Sequence, residues 1–182
     1  MVNDAGNTSN ASLVRQSWIK NDGIMDEKLK PVSDILFKSI GIPEGRKFLD
    51  IGCGAGSTTI RLGGLVSSGA SVTGIDISEP MVSFAKEKAK AIENVDFVLA
   101  NAQTYKFGPD KFDGAMSRMG VMFFADPVQA FSNIHSALNR GTFLTFACWA
   151  PVEEGELTDL LLRTALKHTG KPHNDLKTAV GP

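Results

Sequence analysis

Cysteine is scarce in this sequence: Cys53 and Cys148 are the two among 182 residues, and they form neither a pattern of bridges nor a set of metal ligands. Such usage suits a reducing compartment and predicts a cytoplasmic protein without a metal site. A surplus of one charge is missing too. Nineteen basic and twenty acidic side chains leave a formal net charge of −1, so nothing global marks the chain for nucleic acid or an anionic membrane. No run approaches the roughly 20 apolar residues that span a bilayer. Residues 1–12 carry Asn, Ser, Ala and Gly where a secretory leader would carry a basic start and an apolar run. The hydrophobic share of 42% is that of an ordinary domain with one substantial core.

Glycine, by contrast, is concentrated where it can act. Phe48-Leu49-Asp50-Ile51-Gly52-Cys53-Gly54-Ala55-Gly56-Ser57-Thr58 reads as a buried strand that runs into a ligand loop and then a helix. Gly52, Gly54 and Gly56 permit positive φ and let a ligand approach the backbone. The N–H groups and dipole of a helix starting at Ser57 or Thr58 would face that loop. Spacing separates this loop from the dinucleotide fingerprint: the glycines follow G-x-G-x-G, with an acid two residues ahead. At roughly 4 Å and an effective dielectric of about 20, an ionised Asp50 repels a phosphate charge by about 4 kcal/mol and attracts an ammonium as strongly. A cationic, zwitterionic ligand fits better than a pyrophosphate. Cys53 has no basic neighbour in the loop to activate it, so its small side chain is read as fitting the turn.

A second apolar segment, Val72-Thr73-Gly74-Ile75-Asp76, also closes on an acid, and a carboxylate at the tip of a neighbouring strand can accept both hydroxyls of a ribose. Glycine loop and Asp76 together resemble the class I S-adenosylmethionine-dependent methyltransferases over residues 31–151. The resemblance implies a doubly wound, Rossmann-like, mostly parallel α/β sheet in strand order 3-2-1-4-5. It also implies a cofactor set: Asp50, Gly52, Cys53, Gly54 and Gly56 at the methionine end, Asp76 at the ribose with its neighbour Ile77 also on the cofactor, and Asn101 with Ala102 at the adenine. The family commonly has an acid where this chain has Asn101, whose amide oxygen can accept the same bond without charge assistance; a plain turn role is its other reading. Residues 112–127 resemble the segment after the fourth strand in a bacterial small-molecule group of the class. There Ser117, through its backbone carbonyl, would hold the ammonium, and Arg118 a carboxylate of cofactor or substrate or else a surface salt bridge.

The remaining elements follow from periodicity and punctuation. Residues 1–30 are expected to form a flexible arm and cofactor lid, residues 31–150 the binding domain, and residues 151–182 a C-terminal helix and polar tail. Trp18 either packs on the domain or belongs to the lid. Pro31 is expected to open a helix with Ile35, Leu36, Ser39 and Ile40 inward. Gly63 and Gly64 require the helix of residues 57–66 to pack closely on the sheet. Ser78 is expected to cap the next helix, whose Lys86, Lys88 and Lys90 point to solvent. Tyr105 is a candidate contact without a clear role, and His135 is read as structural. No catalytic residue is assigned, because in-line methyl transfer needs placement more than an acid or base.

The full class I fold has two further strands beyond the fifth, and they have no counterpart here. The fifth strand, expected over residues 142–149, would then be an apolar edge, which predicts self-association through that edge or the C-terminal helix. The expected activity is transfer of a methyl group from S-adenosylmethionine to a small-molecule nucleophile. The alternatives are a non-catalytic nucleoside-binding or interaction module and, third, an NAD-dependent oxidoreductase.

Overall fold

A computed structural model describes residues 16–40, 47–150, 164 and 167. Among the described residues, five strands, β1 (Lys47–Ile51), β2 (Ser71–Asp76), β3 (Val95–Leu99), β4 (Gly114–Arg118) and β5 (Leu144–Ala147), form one sheet. Every neighbouring pair is parallel, and the spatial order is β3-β2-β1-β4-β5, as expected. β1 takes the centre because its apolar residues point to both faces. Phe48 and Leu49, successive and therefore on opposite faces, are both essentially inaccessible. Phe48 packs with Leu36, Phe37, Leu62, Val72 and Met116 on one side. Leu49 and Ile51 pack with Ile75, Ala115 and Ile134 on the other. The order reverses between β1 and β4, which opens a crevice at their carboxyl ends.

Helices α1 (Asp22–Ile40), α2 (Ser57–Gly63), α3 (Glu79–Lys88) and α4 (Pro127–Ala137) flank the sheet. α1 corrects two expectations. It begins at Asp22 and carries Pro31 in its interior. Its inward face is Ser33, Leu36 and Phe37, with Ile40 partly covered, whereas Ile35 is exposed. The inward spacing is i, i+3, i+4, i+7, one residue out of phase with the stripe expected from the two isoleucines. Before Ser33 no described residue of this helix is buried, and Trp18, in the preceding helical residues 16–20, is exposed.

α2 packs closely at Gly63, where a Cβ would stand 2.4 Å from Cγ2 of Val95, but it ends there, short of the expected residue 66, with Gly64 as its C-cap in ordinary contact only. Ser78 sits at the N-cap of α3, but its hydroxyl caps nothing and is buried without a partner. Asp126 is the side-chain cap of α4, accepting from Gln129 N–H at 2.9 Å. β5 is shorter than expected, because Thr142 is spent in the preceding turn, where its hydroxyl donates to Asn139 O at 2.8 Å.

The chain divides into two units, residues 1–147 and residues 148–182. In the second, Thr164 and Lys167 are helical, inside the helix expected after residue 151. The rest of that helix, the polar tail and residues 1–15 lie outside the described residues. Among the described residues, no helix is long and apolar enough to cross a membrane.

Candidate functional site

The loops that follow β1, β2, β3 and β4 meet at the crevice. The first is the glycine loop, in which Gly52, Gly54 and Gly56 have φ of 66°, 53° and 81°. A Cβ on Gly52 would lie 2.6 Å from the Cα of Gly120, and one on Gly56 would lie 2.7 Å from the Phe97 ring. These two glycines are therefore required by packing as well as by conformation. Gly54 differs, since a Cβ there would meet nothing within 4 Å. Its side of the loop is open for a ligand. Cys53 turns its side chain inward, and burial pushes its thiol far above the ordinary range, so it remains an unreactive neutral group. Its backbone N–H is already donated to Ile75 O at 3.2 Å.

Asp76, at the end of β2, ties two loops together. Its Oδ2 accepts from Gly54 N–H at 2.9 Å and its Oδ1 from Ser78 N–H at 2.8 Å. The same carboxylate thus caps the turn into α3 and braces the open glycine, and each oxygen retains a second acceptor site. Ile77 beside it is exposed, as is Leu99 at the end of β3. Two apolar side chains at the rim next to an acid suit a ring attached to a hydroxylated sugar.

Asp50 is wholly buried at 0% exposure. Its Oδ2 accepts hydroxyl hydrogens from Thr58 and Thr59, each at 2.7 Å, whereas Oδ1 has no hydrogen-bond partner. Burial pushes its pKa up to about 6, against the pull of the two threonines and Arg118. The half-satisfied carboxylate lies where β1 runs into the glycine loop.

After β3, Asn101 is exposed and uses its Oδ1 to accept from Gln103 N–H at 2.9 Å, an Asx turn. Ala102 is buried, and its carbonyl accepts from Asn133 Nδ2 at 2.8 Å. Tyr105 packs edge-on against Phe107 with centroids 5.0 Å apart, a core role. His135 is exposed in the last turn of α4.

After β4, Ser117 is fully buried and donates its hydroxyl to Ile51 O at 2.7 Å, joining the ends of β4 and β1. Arg118 turns towards α1, where Nη1 donates to Asp26 Oδ1 at 2.8 Å and to Ser33 Oγ at 2.7 Å. Its side chain is only 13% exposed, whereas Asp26 is 47% exposed, so the ion pair is buried on the arginine side and open to water on the other. The chain then bends through Met119, at φ 64°, where a bulky side chain is uncommon. A cavity of about 300 Å³ lies between α1, the start of α2 and Arg118, with Asp26, Lys30, Ser33, Thr58 and Arg61 in its wall.

Several of these residues carry no sequence signal of function. Thr58 and Thr59 look like ordinary helix residues until the fold brings them to Asp50. Gly120 matters only because Gly52 packs on it, and Asp26 only because Arg118 reaches it. Lys88, expected in solvent, donates to Asp22 Oδ2 and to Ser57 Oγ, both at 2.7 Å, linking α3 to the start of α1. As a set, the open glycine, the orphaned Oδ1 of Asp50, the Asp76 carboxylate and the exposed Ile77 and Leu99 fit a nucleoside with a cationic tail.

Comparison with known proteins agrees with this geometry. Residues 48–141 match a family model described as a methyltransferase domain. A demethylmenaquinone methyltransferase of Staphylococcus aureus is 35% identical over 121 residues, which are 66% of this chain and 50% of that protein. The chain therefore spans about half the length of the curated relatives it matches. Among solved structures, an S-adenosylmethionine-dependent methyltransferase from Aquifex aeolicus shares the fold with a TM-score of 0.61 at 23% identity, covering 68% of this chain and 66% of that one. A Haemonchus contortus phosphoethanolamine N-methyltransferase, solved with phosphomonomethylethanolamine and S-adenosylhomocysteine, aligns at 28% identity and a TM-score of 0.58, covering 64% of this chain and 27% of that one. With the sheet order, the glycine loop and the family match in agreement, the chain belongs to the methyltransferase-domain family, of the class I S-adenosylmethionine-dependent type.

Proposed function

We propose that this chain binds S-adenosylmethionine across the carboxyl ends of β1, β2 and β4 and transfers its methyl group to a small-molecule nucleophile. The observation that carries the reading is the bracing of the open Gly54 by Asp76 directly beside the half-satisfied Asp50. In this reading Asp50 supplies negative charge to the ammonium of the cofactor, and Asp76 uses its remaining acceptor sites on the ribose. Ile77 supports the adenine, with Asn101 and Ala102 at its edge. The Ser117 carbonyl meets the ammonium, and Arg118 takes a carboxylate beside Asp26. The backbone of Gly52, Cys53, Gly54 and Gly56 lines the path between them. The cofactor, when bound, supplies an electrophilic methyl group on a sulfonium, so this chain's residues need only place the acceptor in line and exclude water.

The domain reading gives residues 1–30 the role of a lid. What supports it is the character of the first half of α1, which has polar tethers at Asp22 and Asp26 and no buried side chain before Ser33. Residues 31–150 form the binding domain, and residues 151–182 a helix and tail. The β5 edge is read as a self-association surface and the protein as cytoplasmic. A mass by light scattering that stays monomeric at every concentration would remove the first of these.

One observation favours a second reading, a non-catalytic nucleoside-binding module. The Asn101 amide oxygen is already used in an Asx turn, which weakens its claim on an adenine amino group. Calorimetric titration with S-adenosylhomocysteine beside NAD tests the site. Selective binding of the former supports the cofactor reading, and selective binding of NAD overturns it. Methyl transfer to an acceptor pool then separates enzyme from binding module.

A further inference from the structure

Asp50 is satisfied unevenly. A buried carboxylate usually spreads its hydrogen bonds over both oxygens, because an orphaned acceptor costs about 1–3 kcal/mol. Here two consecutive threonines, Thr58 at 4% and Thr59 at 0% exposure, both donate to Oδ2 at 2.7 Å and leave Oδ1 with none. Thr58 also forms part of the cavity wall between α1 and the start of α2.

We propose that Thr58 and Thr59 are positioning residues for the cofactor's ammonium: by anchoring Oδ2 they hold the Asp50 carboxylate ionised and turned so that Oδ1 is kept for the cation. This rests on the cofactor reading above. The surroundings allow the two hydroxyls to decide the ionisation. From β4, Arg118 favours the charged form through space while its Nη1 donates to Asp26 and Ser33; from β2, Asp76 opposes it. In the loop, Cys53 stays a neutral thiol. From α2, Arg61 is turned away to Asp34 and the Phe37 ring, so the helix presents hydroxyls to the site. The two donated bonds hold down a pKa that burial has lifted to about 6, so the carboxylate is charged at neutral pH. Removing them lifts it further, towards neutral pH.

The test compares two ligands on the full chain. S-adenosylhomocysteine carries the amino-acid ammonium, and 5′-methylthioadenosine keeps the nucleoside and thioether without it. With Thr58→Val and Thr59→Val combined, S-adenosylhomocysteine should bind at least about tenfold more weakly at neutral pH, while methylthioadenosine keeps its affinity. The pH below which S-adenosylhomocysteine affinity falls should move upwards from about 6. The pair Thr58→Ser and Thr59→Ser, which keeps both hydroxyls, should restore wild-type behaviour. Circular dichroism verifies folding, and the two single valine variants, each expected to show part of the shift, serve if the double variant does not fold. Equal loss for both ligands, or an unmoved pH profile, overturns the positioning role and leaves the cofactor reading standing. Wild-type protein that binds neither ligand overturns both.

Discussion

Gly52 and Gly120 pack backbone on backbone: a Cβ on Gly52 would fall 2.6 Å from the Cα of Gly120, and a Cβ on Gly120 would fall 2.8 Å from the Cα of Gly52 and 2.5 Å from Ile51 O. The loop after β1 and the turn after β4 thus form one unit, which Ser117 locks by donating to Ile51 O and accepting from Gly120 N–H. The strained Met119, at φ 64°, is what carries the chain into that contact.

Gly120→Ala follows directly. The added methyl meets backbone, which cannot rotate away, so we expect a loss of about 1–3 kcal/mol in stability together with lost cofactor binding. Urea unfolding beside S-adenosylhomocysteine titration checks both. A fully stable variant with normal affinity would show that the two loops move independently.

Gly54 and Gly56 predict opposite outcomes from the same substitution. Alanine at Gly54 meets nothing within 4 Å, so apart from strain of roughly 1 kcal/mol at positive φ the fold should survive while the ligand's path narrows. Gly54→Val should bind no S-adenosylhomocysteine and still unfold cooperatively. Alanine at Gly56 meets the Phe97 ring and the Ala85 Cβ, both under 3 Å, and should destabilise the protein first. Retained affinity in Gly54→Val would mean that the ligand does not approach there.

Asp76→Ala removes the acceptor of both Gly54 N–H and Ser78 N–H. Affinity for S-adenosylhomocysteine should fall by roughly 1.5–3 kcal/mol, the range for hydrogen bonds to a charged group. Asp76→Asn, which keeps one acceptor oxygen, should lose less. If calorimetry finds wild-type affinity in folded Asp76→Ala, the ribose role is gone and the carboxylate is only a loop brace.

How far the sequence reached can be read from these residues. The strands and the glycine loop were legible because they depend on local pattern, apolar runs closing on acids with turns between, whereas the strand order came from the family that this pattern resembles. The reach of Asp76 to Gly54, 22 residues back, was not legible, because side-chain hydrogen bonds across a crevice leave no periodicity. The phase of α1 was misread for a related reason. Ile35 is as hydrophobic as Leu36, and only the sheet beneath decides that Ser33 and Phe37 turn inward. Ser33 does so with partners, donating to Leu29 O and accepting from Arg118. Arg118 was expected at a carboxylate of cofactor or substrate or else in a surface salt bridge, and the carboxylate it holds in the structure is that of Asp26 on α1.

Asp50 gives the last prediction, a pH dependence of stability. Its carboxyl rises from an ordinary 3.8 to about 6 in the folded chain because burial disfavours the charge. Between those values the folded state holds a proton that the unfolded state has released. Stability contributed by this group therefore falls as pH rises through the interval and is level above it. Asp50→Asn has no such titration. Its absolute stability at neutral pH balances relief of about 3 kcal/mol of buried charge against about 1–3 kcal/mol for an amide N–H₂ placed where Oδ1 has no partner. The difference between wild type and variant is the cleaner quantity, since the other carboxylates cancel in it. From about pH 4.5 to 7.5, urea unfolding should show wild type losing about 2 kcal/mol relative to Asp50→Asn, with S-adenosylhomocysteine affinity lower in the variant throughout the neutral range. A difference that stays flat with pH would mean that Asp50 is not held as a buried, half-satisfied acid.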